Sequence, residues 1–264
     1  MTDKVALVTG ASRAPGLGVA VARALAERNH HAIVTARDGA RAEEQAALLR
    51  SEGLSAEGLR VDLADTGDFA RVADHVKSAH GHLDVLVNNA SCLPDMDTAS
   101  PLDADIARVR TALDVNVVGV WALVQALSPL LRAAPAARVV NITSGAFRQV
   151  AAGADLPRPA GAPAYSFSKY GMNVLTGMLA SAFRGTNVLV NAVDPGQVAT
   201  QTVLGDDDGD RPPAESAAWV AWAATLPVGG PTGGVFDDGE RVAWDVKPQL
   251  QHAQQNRHRV KPQP

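Results

Sequence analysis

The chain has 264 residues, 46% hydrophobic and 20% charged, with 23 Gly and 16 Pro. That is a globular mixture, which excludes a wholly disordered polymer. A net charge of −4, from 24 basic and 28 acidic residues, argues against nucleic-acid binding by bulk electrostatics. The single cysteine, Cys92, excludes an internal disulfide and a cysteine-based zinc cluster, and no metal-ligand set is read elsewhere. The first residues, MTDKVALVTG, hold too short an apolar core for a signal peptide. The longest apolar stretch, Val115–Leu131, is interrupted by Asn116, Gly119, Gln125, Ser128 and Pro129, so no membrane span and a cytoplasmic location are expected.

Short β-branched runs alternate with alanine-rich helical stretches. Strands are expected at Val5–Thr9, Ala32–Thr35, Leu59–Leu63, Val85–Val87, Val139–Ile142 and Val188–Val193, with a possible short seventh at Gly234–Phe236. Helices are expected over Val19–Arg28, Ala42–Arg50, Asp68–His80, Asp103–Leu113, Val115–Leu131, Tyr165–Phe183 and Glu215–Ala224. The strands lack polar alternation, so they are buried on both faces of a mostly parallel sheet covered by helices. One doubly wound α/β domain of about seven strands over residues 1–246 follows, with a polar tail over 247–264. Gly153–Pro163 and Gly205–Pro213 read as loops from their Gly and Pro content.

Thr9-Gly10-Ala11-Ser12-Arg13-Ala14-Pro15-Gly16-Leu17-Gly18 lies between the first strand and the first helix. Backbone N–H groups at such a turn can receive a dinucleotide pyrophosphate, and glycines allow its close approach. A Gly-rich strand-to-helix turn can also be only a tight turn. Further along, Tyr165 and Lys169 stand four apart and so share one helix face. A phenol holds its proton tightly at neutrality, and an ammonium one turn away favours the tyrosinate, as acid–base work requires. Ser144 follows a strand end, where ligands bind in open α/β sheets.

Together these residues resemble the short-chain dehydrogenase/reductase family over about residues 4–242. Its glycine pattern, TGxxxGxG, is lengthened here by two residues, Ala14-Pro15, and its NNAG appears as Asn88-Asn89-Ala90-Ser91. The stretch Pro195-Gly196-Gln197-Val198-Ala199-Thr200 is similar to its PGxVxT. The resemblance implies a catalytic set of Asn116, Ser144, Tyr165 and Lys169. It places a nicotinamide cofactor along Gly10, Ser12, Arg13, Gly16, Leu17, Gly18, Arg37, Asp62, Leu63, Asn89, Ala90, Tyr165, Lys169, Pro195, Gly196, Val198 and Thr200. Asp62 is expected on the adenine amino group, and Val198 and Thr200 near the carboxamide.

Ala36 stands where NAD-preferring members carry Asp, and Arg37 follows, so NADPH is expected over NADH. Cys92 is expected to be inert. The Ser144–Tyr165 interval is 21 residues, longer than usual in the family, which puts Gly153–Pro163 at the pocket rim. The expected activity is reduction of a ketone or aldehyde with NADPH. Alcohol oxidation, reduction of activated C=C bonds, and a non-catalytic NADP-binding regulator stand as alternatives. A small-molecule substrate and a homo-oligomer, dimer or tetramer with a monomer also open, complete the expectation.

Overall fold

The computed structural model describes residues 4–152, 161–200 and 210–244. The expected tail (247–264), most of the Gly153–Pro163 loop and the acidic segment around Asp206–Asp208 lie outside the described residues.

The strands are β1 (Lys4–Val8), β2 (His30–Ala36), β3 (Ala56–Arg60), β4 (Val85–Asn88), β5 (Ala137–Ile142), β6 (Val188–Asp194), β7 (Val235–Asp237) and β8 (Glu240–Val242). The helices are α1 (Leu17–Ala26), α2 (Gly39–Ser51), α3 (Asp68–Ala79), α4 (Ile106–Leu113), α5 (Val120–Ala133), α6 (Phe147–Ala152), α7 (Pro163–Ala182) and α8 (Pro213–Ala224). The sheet runs β3-β2-β1-β4-β5-β6-β7-β8, parallel except for the antiparallel β7–β8 pair. Strand order reverses between β1 and β4, and the crevice outside that switch point is the place for a ligand in such sheets.

Alternation along the strands builds two cores. Val5 and Leu7 of β1, with Ile33, Leu86, Val139 and Val190, pack against α3, α5 and α7. Ala6 and Val8, with Val34, Val87, Val140 and Val193, pack against α1, α2 and α8. Each large buried side chain contributes roughly 1.5–3 kcal/mol relative to exposure. Helices on both faces therefore lock the sheet and hold its strand ends in fixed relation.

Four sequence readings need correction. The third strand lies earlier than Leu59–Leu63, because β3 pairs Ala56–Arg60 with Ala32–Ala36 and then leaves the sheet. Val61 and Leu63 are apolar because they pack into the core beneath α3, not because they extend a strand. The two helices expected over 103–131 are one continuous run, in which α4 and α5 are joined through a π-helical turn at Asp114–Gly119. That run, unlike either separate segment, is long and apolar enough by length and composition to cross a membrane. Here its Leu123, Leu127 and Leu131 face the core. Finally, α6 and β8 were not anticipated. β8 follows a tight turn with positive φ at Asp238 and Gly239, an Asp-Gly hairpin signal present in the sequence.

Candidate functional site

A cavity of about 1030 Å³ opens at the carboxyl ends of β1, β2 and β4. It lies at the top of the usual range of about 300–1,000 Å³ for small-molecule sites. Its floor is the glycine turn. Gly10 has a φ of +70°, and a Cβ there would sit 2.6 Å from the Ala90 Cα. At Gly18 a Cβ would meet the Asn89 amide nitrogen at 2.7 Å and the Gly10 carbonyl at 2.8 Å. Only glycine admits that approach.

Thr9 joins the two turns. Its Oγ1 donates to the Val87 carbonyl and accepts the Asn89 and Ala90 N–H groups, both at 3.0 Å. The Asn89 side chain donates to the carbonyls of Thr9 (2.8 Å) and Gly10 (3.1 Å), so it braces the turn while bordering the cavity. A cradle that a Cβ would fill, lined by backbone at a helix start, fits the pyrophosphate of a dinucleotide.

Of the residues expected to hold cofactor, Gly10, Ser12, Arg13, Gly16, Leu17, Gly18, Arg37, Asp62, Leu63, Asn89, Ala90 and Thr200 line this cavity. Pro195, Gly196, Val198, Tyr165 and Lys169 do not, nor do Ser144 and Asn116. Sequence reasoning missed Asp38 and Arg41, which also line it. The Asp38 carboxylate caps α2 through the Ala40 N–H at 2.9 Å and lies 3.9 Å from Arg41. Asp62 Oδ1 accepts the Ala64 N–H at 3.1 Å, which fixes the chain as it leaves β3. Arg13 reaches across the crevice, and its guanidinium donates to the Thr200 carbonyl at 2.8 Å.

Tyr165 and Lys169 lie on the first turns of α7. Lys169 is buried, its Nζ donates to the Ile142 carbonyl at 2.9 Å, and that nitrogen stands 5.4 Å from the Tyr165 ring centroid. Ser144, two residues past β5, accepts the Ala146 N–H on its Oγ at 3.3 Å. Asn116 sits in the π-helical turn, a departure from α geometry often found at functional sites. Its Oδ1 accepts the Cys92 N–H at 2.8 Å, and its Nδ2 donates to the Cys92 carbonyl and Ser168 Oγ, both at 2.9 Å. It thereby ties the segment after β4 to α7. Burial pushes the Cys92 thiol up from its ordinary value against the opposing charges of Lys169 and Arg37. The thiol therefore stays protonated, in keeping with a passive role.

One residue of this region carried no signal in the sequence. Ala162, before α7, has a φ of 46° and offers no capping side chain. The carboxylate of Asp95, 1% exposed, takes that place by accepting the N–H groups of Ala164 (2.5 Å) and Tyr165 (3.2 Å). A buried anion at a helix N-terminus complements the helix dipole and sets the position of the turn bearing Tyr165. The two partners are some 70 residues apart, a spacing that no local pattern records.

Comparison with known proteins agrees with this architecture. The family model described as short chain dehydrogenase matches residues 4–209. A cis-4-hydroxycyclohexanecarboxylate dehydrogenase of Sinomonas cyclohexanicum is 34% identical over 206 residues, covering 77% of this chain and 76% of its own. Carbonyl reductase (NADPH) 1 of Sus scrofa is 28% identical over 286 residues, covering 93% of this chain and 96% of its own. The solved structure of a metagenomic short-chain oxidoreductase in complex with NADP superposes with a TM-score of 0.71 at 29% identity, covering 89% of this chain and 96% of that one.

Proposed function

Because the chain belongs to the short-chain dehydrogenase family, we propose that it is an NADPH-dependent oxidoreductase that reduces a ketone or aldehyde to an alcohol. The observation that carries this reading is the α7 pair, a buried Lys169 ammonium held one turn from the Tyr165 phenol. When bound, the reduced nicotinamide supplies the hydride. Tyr165 gives its hydroxyl proton to the substrate oxygen as charge grows there. Lys169 favours the tyrosinate left behind and holds the adjacent ribose. Ser144 accepts from Ala146 and so keeps its own hydroxyl proton to donate to the same oxygen. Asn116 braces the π-helical turn, whose backbone carbonyl serves the proton relay toward Lys169.

The NADPH preference is supported by charge. Ala36 brings no carboxylate to the ribose end of the crevice, Arg37 and Arg41 line it, and Asp38 is engaged with α2 and Arg41. A forked guanidinium suits a 2′-phosphate. Pro195, Gly196, Val198 and Thr200 belong to the nicotinamide end in this reading. The same residues run alcohol oxidation in reverse, and the name of the Sinomonas relative favours testing that direction as well.

A homo-oligomer is the proposed assembly. Phe167, Val174 and Met178 form one exposed stripe on α7, and Val118 and Trp121 are exposed on the neighbouring helical run. An apolar patch of this kind suits a second copy, and solution mass tests it.

The function is tested by NADPH consumption against a panel of ketones and aldehydes, with product analysis and the reverse reaction on the matching alcohols. Turnover on a carbonyl with kcat/KM favouring NADPH by about tenfold or more is expected, since one charge-assisted contact is worth roughly 1.5–3 kcal/mol. Cofactor binding without turnover on any carbonyl, alcohol or activated alkene would instead leave a non-catalytic NADP-binding protein.

A further inference from the structure

Histidines gather at the end of the sheet opposite the crevice. Five of the seven in the chain, at 30, 31, 75, 80 and 82, belong to the start of β2, to α3 and to the connection after α3. Three of them surround one carboxylate. Glu57, at the start of the edge strand β3, has His80 Nε2 at 3.0 Å and His31 Nε2 at 3.5 Å from Oε1, and His75 Nε2 at 3.2 Å from Oε2. Donor atoms of His31, Glu57 and His80 all lie within 4.8 Å of one another.

The hydrogen-bond pattern leaves a gap in this cluster. His31 Nδ1 stands 2.7 Å from Ser55 Oγ, while its Nε2 is buried without a hydrogen-bond partner. His31 Nε2 thus faces the Glu57 carboxylate at 3.5 Å with no hydrogen bond closing the gap, a space that a bound cation would fill. An imidazole whose second nitrogen is held by a hydroxyl is also a ring oriented for a metal. Around Zn²⁺, with bonds of about 2.0–2.2 Å, neighbouring tetrahedral donors lie roughly 3.3–3.6 Å apart, close to the imidazole–carboxylate separations here. Arg50 donates to the carbonyl of Ala56, next to Glu57, but is paired with Glu43, so its charge is matched.

We propose that His31, Glu57 and His80 form a Zn²⁺ site, with His75 holding the second carboxylate oxygen and solvent completing the tetrahedron. Imidazole with carboxylate suits a borderline transition-metal dication better than Ca²⁺ or Mg²⁺, which take oxygen donors. The ion ties the end of α3 to β2 and to the edge strand β3. It stands apart from the proposed chemistry, since Ala36 at the crevice comes five positions after His31, about 16 Å along β2.

The test is calorimetric titration of the full chain with Zn²⁺ alone, with thermal unfolding followed in parallel. One equivalent is expected to bind and raise Tm. His80→Gln and Glu57→Gln should each weaken binding by about tenfold or more, and a double variant, His252→Gln with His258→Gln, should bind as the parent does. Co²⁺ in the parent should show the intense visible bands of a tetrahedral site, lost in His31→Gln, whose far-ultraviolet circular dichroism reports that it folds. Absence of binding would overturn the proposal, because Glu57 would then be an ordinary hydrogen-bonded carboxylate. Undiminished binding in the single variants would overturn it too, as an adventitious ion only. No nicotinamide or carbonyl enters the titration, so its outcome is separate from the reductase reading.

Discussion

The part of the crevice proposed for the dinucleotide and the part proposed for proton transfer are built by different means. The first is mostly backbone: the glycine turn rests on Ala90 and is stitched by Thr9 and Asn89, and a Cβ at Gly10 or Gly18 would fill it. The second is mostly side chains, Tyr165 and Lys169 on one helix, held by the Asp95 cap below and by Asn116 through Ser168. The difference sets what kind of sequence change each part tolerates. The turn carries two extra residues and Ser91 in place of the family glycine, yet the cavity remains, because backbone donors survive substitutions that preserve close approach. The α7 pair keeps its spacing, because one residue of slip turns a helical side chain by about 100°.

That contrast can be broken at specific points. Replacing Lys169 with Met should lower turnover by about a hundredfold or more, the scale of general acid–base contributions. Steady-state kinetics should show both kcat and cofactor KM affected, since the proposed mechanism gives one side chain both proton transfer and the ribose. Unchanged kcat would remove Lys169 from the relay.

Arg37→Ala should act only on the backbone-built side. It should lower kcat/KM for NADPH by roughly tenfold to a hundredfold, as loss of a charge-assisted contact does, and leave the NADH value within about twofold. Equal losses with both cofactors would deny Arg37 a role at the 2′-phosphate.

Asp95→Ala probes what supports the side-chain-built half. It leaves two buried N–H groups of α7 unmet, at a cost of about 1–3 kcal/mol. For a chain of this size that lowers Tm by about 2–4 °C per kcal/mol. Asp95→Asn, with a single acceptor oxygen, should fall between the two in thermal unfolding.

The smallest effect concerns Asp194, at the end of β6. Burial raises its carboxyl above the ordinary value, opposed by the Gly196 N–H and by Arg148. A raised carboxylate pKa means that the folded chain holds the proton more tightly than the unfolded chain. Stability is therefore full below the unfolded value, about 3.9, and declines as pH rises through the folded one. Asp194→Asn removes that slope, so denaturant titrations should show the variant gaining on the parent as pH rises above the ordinary carboxylate value of about 3.9. A constant difference would mean that Arg148 fully offsets the burial.

The parallel sheet, the glycine turn and the Tyr165–Lys169 spacing were legible in the sequence because each rests on local pattern: unbroken apolar strands, a glycine run, a helical interval. The offset of β3 was not, because Val61 and Leu63 look like strand residues yet serve the core beneath α3. The π-helical turn was hidden for a related reason, since composition does not separate it from the helices it joins. Asp95 capping α7 and the imidazoles around Glu57 depend on pairs 18 to 70 residues apart, which only the folded chain brings together. Among the described residues, the hairpin turn at Asp238-Gly239 was a missed element that had a readable local signal.

The most direct measurement is Tyr165→Phe beside the parent protein, with NADPH affinity and carbonyl turnover read from the same samples. The account predicts unchanged NADPH affinity and a turnover loss of about a hundredfold or more, in the range of general acid catalysis. A phenylalanine variant that reduces the carbonyl at the parent's rate would contradict it.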